Sequence, residues 1–420
     1  MVKPGYKQTE AGVIPEDWGA EPLGELTLMM TNGFVGTATR HYTDEGKGVR
    51  YIHGYNVIAN SFDFHGVKFV DESFHRAHLK SCLRAGDVLT VQTGDVGLTT
   101  VVTDELAGSN CHALIISRFD QKKASPRFVS FYLNSGQGRS RLKLIEIGTT
   151  MKHLNVGDML QFSVPLPSSL PEQQAIASAL LDADELIGSL EQLLTKKRQI
   201  KQGAMQELLT GKKRLPGFSG EWKVKTLKQM AEIAPGINKP VSEMGRGSLY
   251  VTVQDVYNGT SIRTERLGRI HVSPEEIQSK ALMPGDIVFG KSSVKREGIG
   301  YPSQFLGCVE PVVFSGFTYR ARARKGITDA AYLFYSLRLN ETRRWLIDNS
   351  QASALTNINQ RIADAIPVKI PPTLPEQTAI AEVLSDMDAE IEALETKLTK
   401  ARQVKQGMMQ ELLTGRIRLV

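Results

Sequence analysis

The amino-acid sequence predicts an α+β protein: two pseudo-symmetric globular domains joined by two long helices that pair as an antiparallel coiled coil. Three observations predict it. Residues 170–215 and 374–419 align without a gap at a shift of 204, with about 30 of 46 positions identical. Both copies carry apolar residues at alternating steps of four and three, the period of a helix seam. The stretches that precede them share only a skeleton. At the same shift Trp18 falls on Trp222, Leu23 on Leu227, Asn155 on Asn359 and Pro167 on Pro371, whereas in mid-segment Tyr51 meets Tyr250 and Gly86-Asp87 meets Gly285-Asp286 at a shift of 199. The expected division is a first domain over 1–168, a helix over 169–212, a second domain over 213–372 and a second helix over 373–420.

Each globular stretch reads as short strands separated by turn residues, with one or two helices towards its end. The clearest strand-like runs are Asp87 to Val91 and Leu114 to Phe119, then Ile287 to Gly290 and Phe317 to Arg322. The helices announce themselves at both ends. Ser169-x-x-Glu172 and Thr373-x-x-Glu376 have capping-box spacing, Pro171 and Pro375 sit in the first turn, and Gly211 and Gly415 stand where a C-cap is expected. The seam runs through Ile176, Leu180, Ala183, Ile187, Leu190 and Leu194, and again through Ile380, Leu384, Met387, Ile391, Leu394 and Leu398. About 40 residues of helix span roughly 60 Å. A compact domain would leave much of so long a stripe uncovered, so the helices are expected to pack on each other. The order domain–helix–domain–helix makes that pairing antiparallel and places the domains at opposite ends. The basic residues and the Met and Leu residues beyond the seam could dock partner helices.

Size and charge limit the function classes. A chain of 420 residues is too long for one ordinary core. The net charge of +6 and a pI of about 9.0 are compatible with a nucleic-acid partner. There is no apolar run long enough for a membrane span and no secretory h-region at the N-terminus. Three widely spaced cysteines, Cys82, Cys111 and Cys308, suit a reducing cytoplasm and not a disulfide framework.

The loops of both domains are rich in groups that suit phosphates and base edges. Lys and Arg neutralise phosphates, while Arg, Asn, Gln and His also pair with bases in the major groove. The candidates in the first domain are Arg40, Arg50, His53, Lys68, Arg76, Gln92, Thr93, Thr150, Lys152 and His153. In the second they are Lys239, Arg246, Arg263, Lys291, Ser292, Lys295, Arg296, Arg322 and Asn357. Two loops per domain stand out. One comes after the Gly-Asp strand (Gln92, Thr93 and Asp95; Lys291 to Arg296). The other precedes the final strand (Thr149 to His153; Ser353, Thr356 and Asn357).

Catalytic readings fit poorly. Gly285 to Ser292 matches the phosphate-loop pattern G-x-x-x-x-G-K-[ST], but its middle is strand-like, Ser292 to Gly298 make a poor helix start, and the repeat partner Gly86 to Thr93 lacks Lys-Ser. His75, His78 and Cys82 have metal-ligand spacing without a fourth ligand or a counterpart in the second half. No adenine-methylation motif, nuclease carboxylate cluster or triad is evident, so no catalytic residue and no metal site is expected.

The twofold Leu-Pro-Glu-Gln helix starts, the Gln-Glu-Leu-Leu-Thr-Gly helix ends, the Trp18 and Trp222 openings, and Pro-Leu-Pro (165–167) and Ile-Pro-Pro (370–372) ahead of the helices resemble the specificity subunits of type I restriction–modification systems over essentially the whole chain. The resemblance implies that each variable domain is a target-recognition domain for one half of a split, asymmetric double-stranded DNA site. It implies that the helices set the unread gap and recruit two methylation subunits, and through these the restriction subunits. S-adenosylmethionine, ATP and Mg2+ would then be used by those other subunits, with no cofactor on this chain, and the complex would work in a prokaryotic cytoplasm. The competing readings are a phosphate-loop NTPase and a coiled-coil scaffold without a DNA role.

Overall fold

The computed structural model describes residues 3–149, 152–352 and 355–419. It resolves into two compact units, residues 1–191 with 396–420, and residues 192–395. The boundary therefore falls inside both long helices, Leu170–Leu208 and Leu374–Leu412. Each unit is one globular domain plus half of each helix.

In the first unit a four-stranded antiparallel sheet has the order Thr99–Val101, Val88–Val91, Leu114–Phe119, Thr27–Asn32. Side chains alternate across it as the pleat requires. Val88 and Ile115 face a core with Trp18, Phe128, Tyr132, Ile176, Leu180, Leu412 and Leu413. Leu89, Val91, Leu114 and Ile116 face a second core with Ile52, Val57, Leu83 and Cys111. A second sheet, Asn110–Cys111, Val49–Ile52, Lys68–Val70, Tyr42–Thr43, lies beyond it and includes one parallel pair.

The second unit repeats this plan. Its main sheet runs Ala231–Pro235, Thr318–Ala323, Ile287–Gly290, Pro302–Gln304. Its second sheet, Gly268–Ile270, Met244–Val251, Val312–Phe314, again carries a parallel pair. The core beside the helices holds Met205, Leu208, Leu209, Phe289, Tyr332, Leu333, Ile380 and Leu384.

Within each unit the helix segments run antiparallel, as the ion pairs between them show. In the first unit Asp184 holds Lys405, and Glu191 accepts from Arg402 at 2.5 Å. In the second Asp388 holds Lys201, and Glu395 accepts from Arg198 at 2.6 Å. These residues are identical in the two repeats, so one register serves both units. The seam is not uniform. Ile176, Leu180, Ile380 and Leu384 belong to the globular cores, together with the last turn of the opposite helix. Leu190, Leu194, Ile391 and Leu398 are buried farther along, and Ile187 and Leu394 are half-buried. Packing on the domain and packing on the other helix, alternatives at the level of sequence, are used in succession.

The capping boxes are half replaced. The Ser169 hydroxyl accepts from the Glu172 amide, but the carboxylates of Glu172 and Glu376, both fully buried, turn to other partners. Arg418, beyond the end of the C-terminal helix, grips Glu172 (Nη2 to Oε2 2.7 Å) and lies over the Trp18 ring. Arg214, beyond the end of the central helix, grips Glu376 (2.7 Å) and lies over Trp222. The neighbouring glutamines pin each helix start to its domain. Gln173 accepts from the Ser125 amide and donates to the Pro167 carbonyl, and Gln377 accepts from Asp329 and donates to Ile327. The Leu-Pro-Glu-Gln motif is thus a junction: its glutamate closes one helix end on the other and its glutamine seats the domain. Gly211 and Gly415 take positive φ (73° and 68°), and a Cβ there would meet the Trp222 ring at 3.0 Å and Pro15 at 2.5 Å, so only glycine fits the turn into this junction.

Candidate nucleic-acid interface

The two loops singled out in each domain meet. In the first, Thr93 bridges His153, His153 bridges Ile147, and the Leu154 amide donates to the Gln92 carbonyl. In the second, Ser292–Ser293, Thr356–Asn357 and Gln351–Ala352 form a small sheet with Ser292 opposite Asn357, and the Ile358 amide donates to the Lys291 carbonyl. Segments some 60 residues apart in sequence thus form one surface beyond the end of the main-sheet strand that begins at Gly-Asp. Thr150 and Ser353 lie outside the described residues.

The first surface extends through the turn His53–Gly54–Tyr55, where a Cβ on Gly54 would stand 3.7 Å from the Thr93 carbonyl oxygen. His53 stacks on the exposed Tyr55 (5.1 Å, 19°) and contacts Tyr51 and His112. Burial depresses the His53 imidazole to about 4, so it is neutral at physiological pH, with Nδ1 3.2 Å from the Tyr51 carbonyl oxygen and Nε2 3.3 Å from the Tyr42 hydroxyl. Arg50 is half-buried with its guanidinium over Phe64 (5.1 Å). Lys68 is exposed on the adjoining strand, opposite Tyr51. Arg40, Thr93 and Lys152 are exposed, and Gln92 is half-buried. Arg76 is exposed on the helix Glu72–Ala77 and pairs with Glu72 at 3.2 Å.

The second surface carries more free charge. Lys295 and Arg296 are exposed on the loop, as are Arg263 and Arg246 elsewhere in the domain, the latter 3.9 Å from Glu243. Lys291 is held back. Its ammonium donates to the Gly316 carbonyl (2.6 Å), lies over the Tyr319 ring, and has its pKa lowered by burial.

Two candidates belong to the domain's own framework. Arg322 makes a two-pronged ion pair with buried Asp286 (2.8 and 2.6 Å), at the opposite end of the strand from Lys291. Its counterpart Arg118 does the same with Asp87. The Gly-Asp pair therefore marks a structural turn whose carboxylate needs an arginine. Lys239 is tied to Glu276 at 2.7 Å. The repeat-identical Arg214 and Arg418, outside the seam, were the residues that sequence reasoning passed over. Their recurrence at the shift of 204 was the available signal.

The phosphate-loop match does not form a phosphate cradle: Ile287–Gly290 is a buried strand, Ser292–Ser293 begins another, and no helix comes directly after. His78 uses Nδ1 on the Phe74 carbonyl, and among the described residues no group of His, Cys, Asp and Glu could hold a metal ion. Among the same residues no helix is long and apolar enough to cross a membrane.

A family model described as the type I restriction modification DNA specificity domain matches twice, over residues 43–202 and 219–403. The chain belongs to this family. A protein of Methanocaldococcus jannaschii assigned as the type I restriction enzyme MjaX specificity subunit is 23% identical over 442 residues, covering 99% of this chain and 97% of its own. The solved S subunit of a type I restriction–modification system from M. genitalium has the same fold, with a TM-score of 0.62 at 16% identity over 97% of this chain and 98% of that one. A chain from a structural study of the assembly and conformational transition of a type I system matches with a TM-score of 0.55 at 16% identity, over 96% and 99%. As a specificity subunit the chain is a non-catalytic component that recognises DNA sequence alongside partner subunits.

Proposed function

We propose that each variable domain of this specificity subunit reads one half of a bipartite, asymmetric DNA target with the surface formed where its two loops meet, Gln92–Thr93 with Lys152–His153 and Lys291–Arg296 with Asn357. The observation that carries the reading is the joining of the same two loops in both domains through antiparallel backbone pairing at equivalent positions, Thr93 with His153 as an isolated bridge and Ser292 with Asn357 as part of a strand pair. One backbone platform then presents unlike side chains: neutral His53, Gln92 and Thr93 in the first domain, cationic Lys295 and Arg296 in the second. The paired helices serve as the ruler between the half-sites and as the docking surface for two methylation subunits, which in turn recruit the restriction subunits. S-adenosylmethionine, ATP and Mg2+ act on those partners, in the cytoplasm of a prokaryote.

Exchange of residues 220–370 with those of a relative tests this. Sequencing methylated adenines in a host expressing the chimera with its partners should show one half of the recognised site replaced and the other retained. A change in both halves, or in neither, refutes the modular reading.

A further inference from the structure

The loop after the Gly-Asp strand is held from below by one arginine in each domain. In the first, Arg139 on the helix Gly136–Leu142 donates through Nη1 to the Val96 carbonyl at 2.5 Å. In the second, Arg343 on the helix Asn340–Asn349 donates through Nη2 to the Ile299 carbonyl at 2.5 Å and to the Glu297 carbonyl at 3.0 Å. The two arginines are 204 positions apart, the repeat shift itself. Their targets are equivalent as well. Val96 and Ile299 are buried apolar residues that each precede a glycine of positive φ, Gly97 (79°) and Gly300 (59°). A Cβ on those glycines would meet Leu142 and Leu346, again a pair 204 apart. The Val96 and Ile299 carbonyls belong to buried residues of segments whose exposed residues include Thr93 and Asp95, and Lys295 and Arg296.

Arg343 is only 8% exposed, and its Nη1 has no hydrogen-bond partner among the described residues. Burial lowers its pKa to about 10, and its guanidinium lies over Tyr301 (5.4 Å) beside Arg338. A cation buried on carbonyls alone is a costly way to secure packing, since an apolar side chain of similar volume would fill the space. What the fork supplies and an apolar residue cannot is directional grip on a backbone.

We infer that Arg139 and Arg343 are paired positioning residues that fix the conformation of the DNA-reading loop, each setting the specificity of its own half-site without touching DNA. The inference rests on the assignment of one half-site to each domain.

The test uses the full chain assembled with its methylation partners, with both half-sites first defined by sequencing methylated adenines. Binding is measured to the cognate duplex and to duplexes with single base changes in either half. Arg343→Met should reduce discrimination in the second half-site by about tenfold or more and leave the first unchanged. Arg139→Met should do the reverse, and affinity for unrelated DNA should hold in both. Arg343→Lys and Arg139→Lys, which keep a donor, should recover part of the loss. If a methionine variant does not fold, the lysine variant carries the test through its own half-site. Unchanged discrimination in folded variants, or equal loss in both half-sites, overturns the proposal. If the exchange of residues 220–370 moves one half-site while the arginine variants move neither, the positioning role fails and the modular reading stands. If the exchange itself fails, the modular reading has failed first.

Discussion

Opposite Leu89 in its main sheet the first domain places Ile116; opposite Val288, in the same register, the second places Arg320. Ile116 sits in an apolar core. Arg320 is 2% exposed, reaches Glu232 at 2.9 Å with one nitrogen, and leaves Nε and Nη1 without partners. The strand order is the same around both, and so is the register with the strands Thr99–Val101 and Pro302–Gln304, whereas a bulge at Arg118/Phe119 shifts the first domain's pairing with Thr27–Asn32. The sheet is therefore specified by its backbone ladder and a few anchors, such as Asp87 with Arg118 and Asp286 with Arg322, and tolerates unlike side chains between them. The helices show the opposite pattern. There most ion-paired residues are identical in both copies, because each must match the other copy's partner: Glu172 takes Arg418 while Glu376 takes Arg214, and Lys197 with Glu390, where the other copy holds Ala401 and Leu186, is the exception among those described. Identity concentrates where contacts are reciprocal, and variation where each domain answers only to itself.

This contrast is exposed to measurement. The largest effect should come from the reciprocal contacts. Arg418→Ala and Arg214→Ala each strand a fully buried glutamate, at a cost of about 3–5 kcal/mol. Because the arginines lie over Trp18 and Trp222, denaturant unfolding followed by tryptophan fluorescence should report both, with similar losses from the two substitutions. A loss confined to one of them would break the pseudo-symmetry. A gain is expected where the domains differ. Arg320→Met removes a buried cation with two unpartnered N–H groups and should stabilise the second unit by about 1–3 kcal/mol in the same assay, whereas Ile116→Arg should destabilise the first. Neutrality at Arg320 would show that the second core has adapted to its charge.

The smallest effect should be the pH response. His53 titrates near 4 in the folded chain and near its ordinary 6.5 when unfolded. Between those values the unfolded chain binds more protons, so the contribution to stability is complete above pH 6.5 and is lost as pH falls towards 4. Thr252, the counterpart of His53 at the 199 shift, cannot titrate. Acidification over this window should therefore weaken the first unit more than the second, and His53→Gln should lessen the difference. An unchanged pH profile in the variant would assign the response elsewhere, His112 being the other imidazole lowered by burial there.

The repeat, the helix ends and the two loops that meet in each domain were legible in the sequence because each leaves a local or periodic trace: an identity at fixed shift, a capping pattern, a turn after a strand. What escaped was long-range. Glu172 has the spacing of a capping box, and nothing near it reveals a partner 246 positions later. Arg322 looks like any arginine at a strand end until the fold places Asp286 beside it. Arg139 and Arg343 lie on helices away from the loops and act on backbone carbonyls, which carry no residue signature. The seam was legible as a stripe, but its division between globular core and helix pair depends on which surfaces meet.

The junctions also impose an order on synthesis. Glu376 leaves the ribosome 162 residues after Arg214, and once Glu395 has followed it the second unit has all its parts. The first unit, begun earlier, must wait for Arg418, with Glu172 unmatched through most of translation. The domain made first is thus the one completed last.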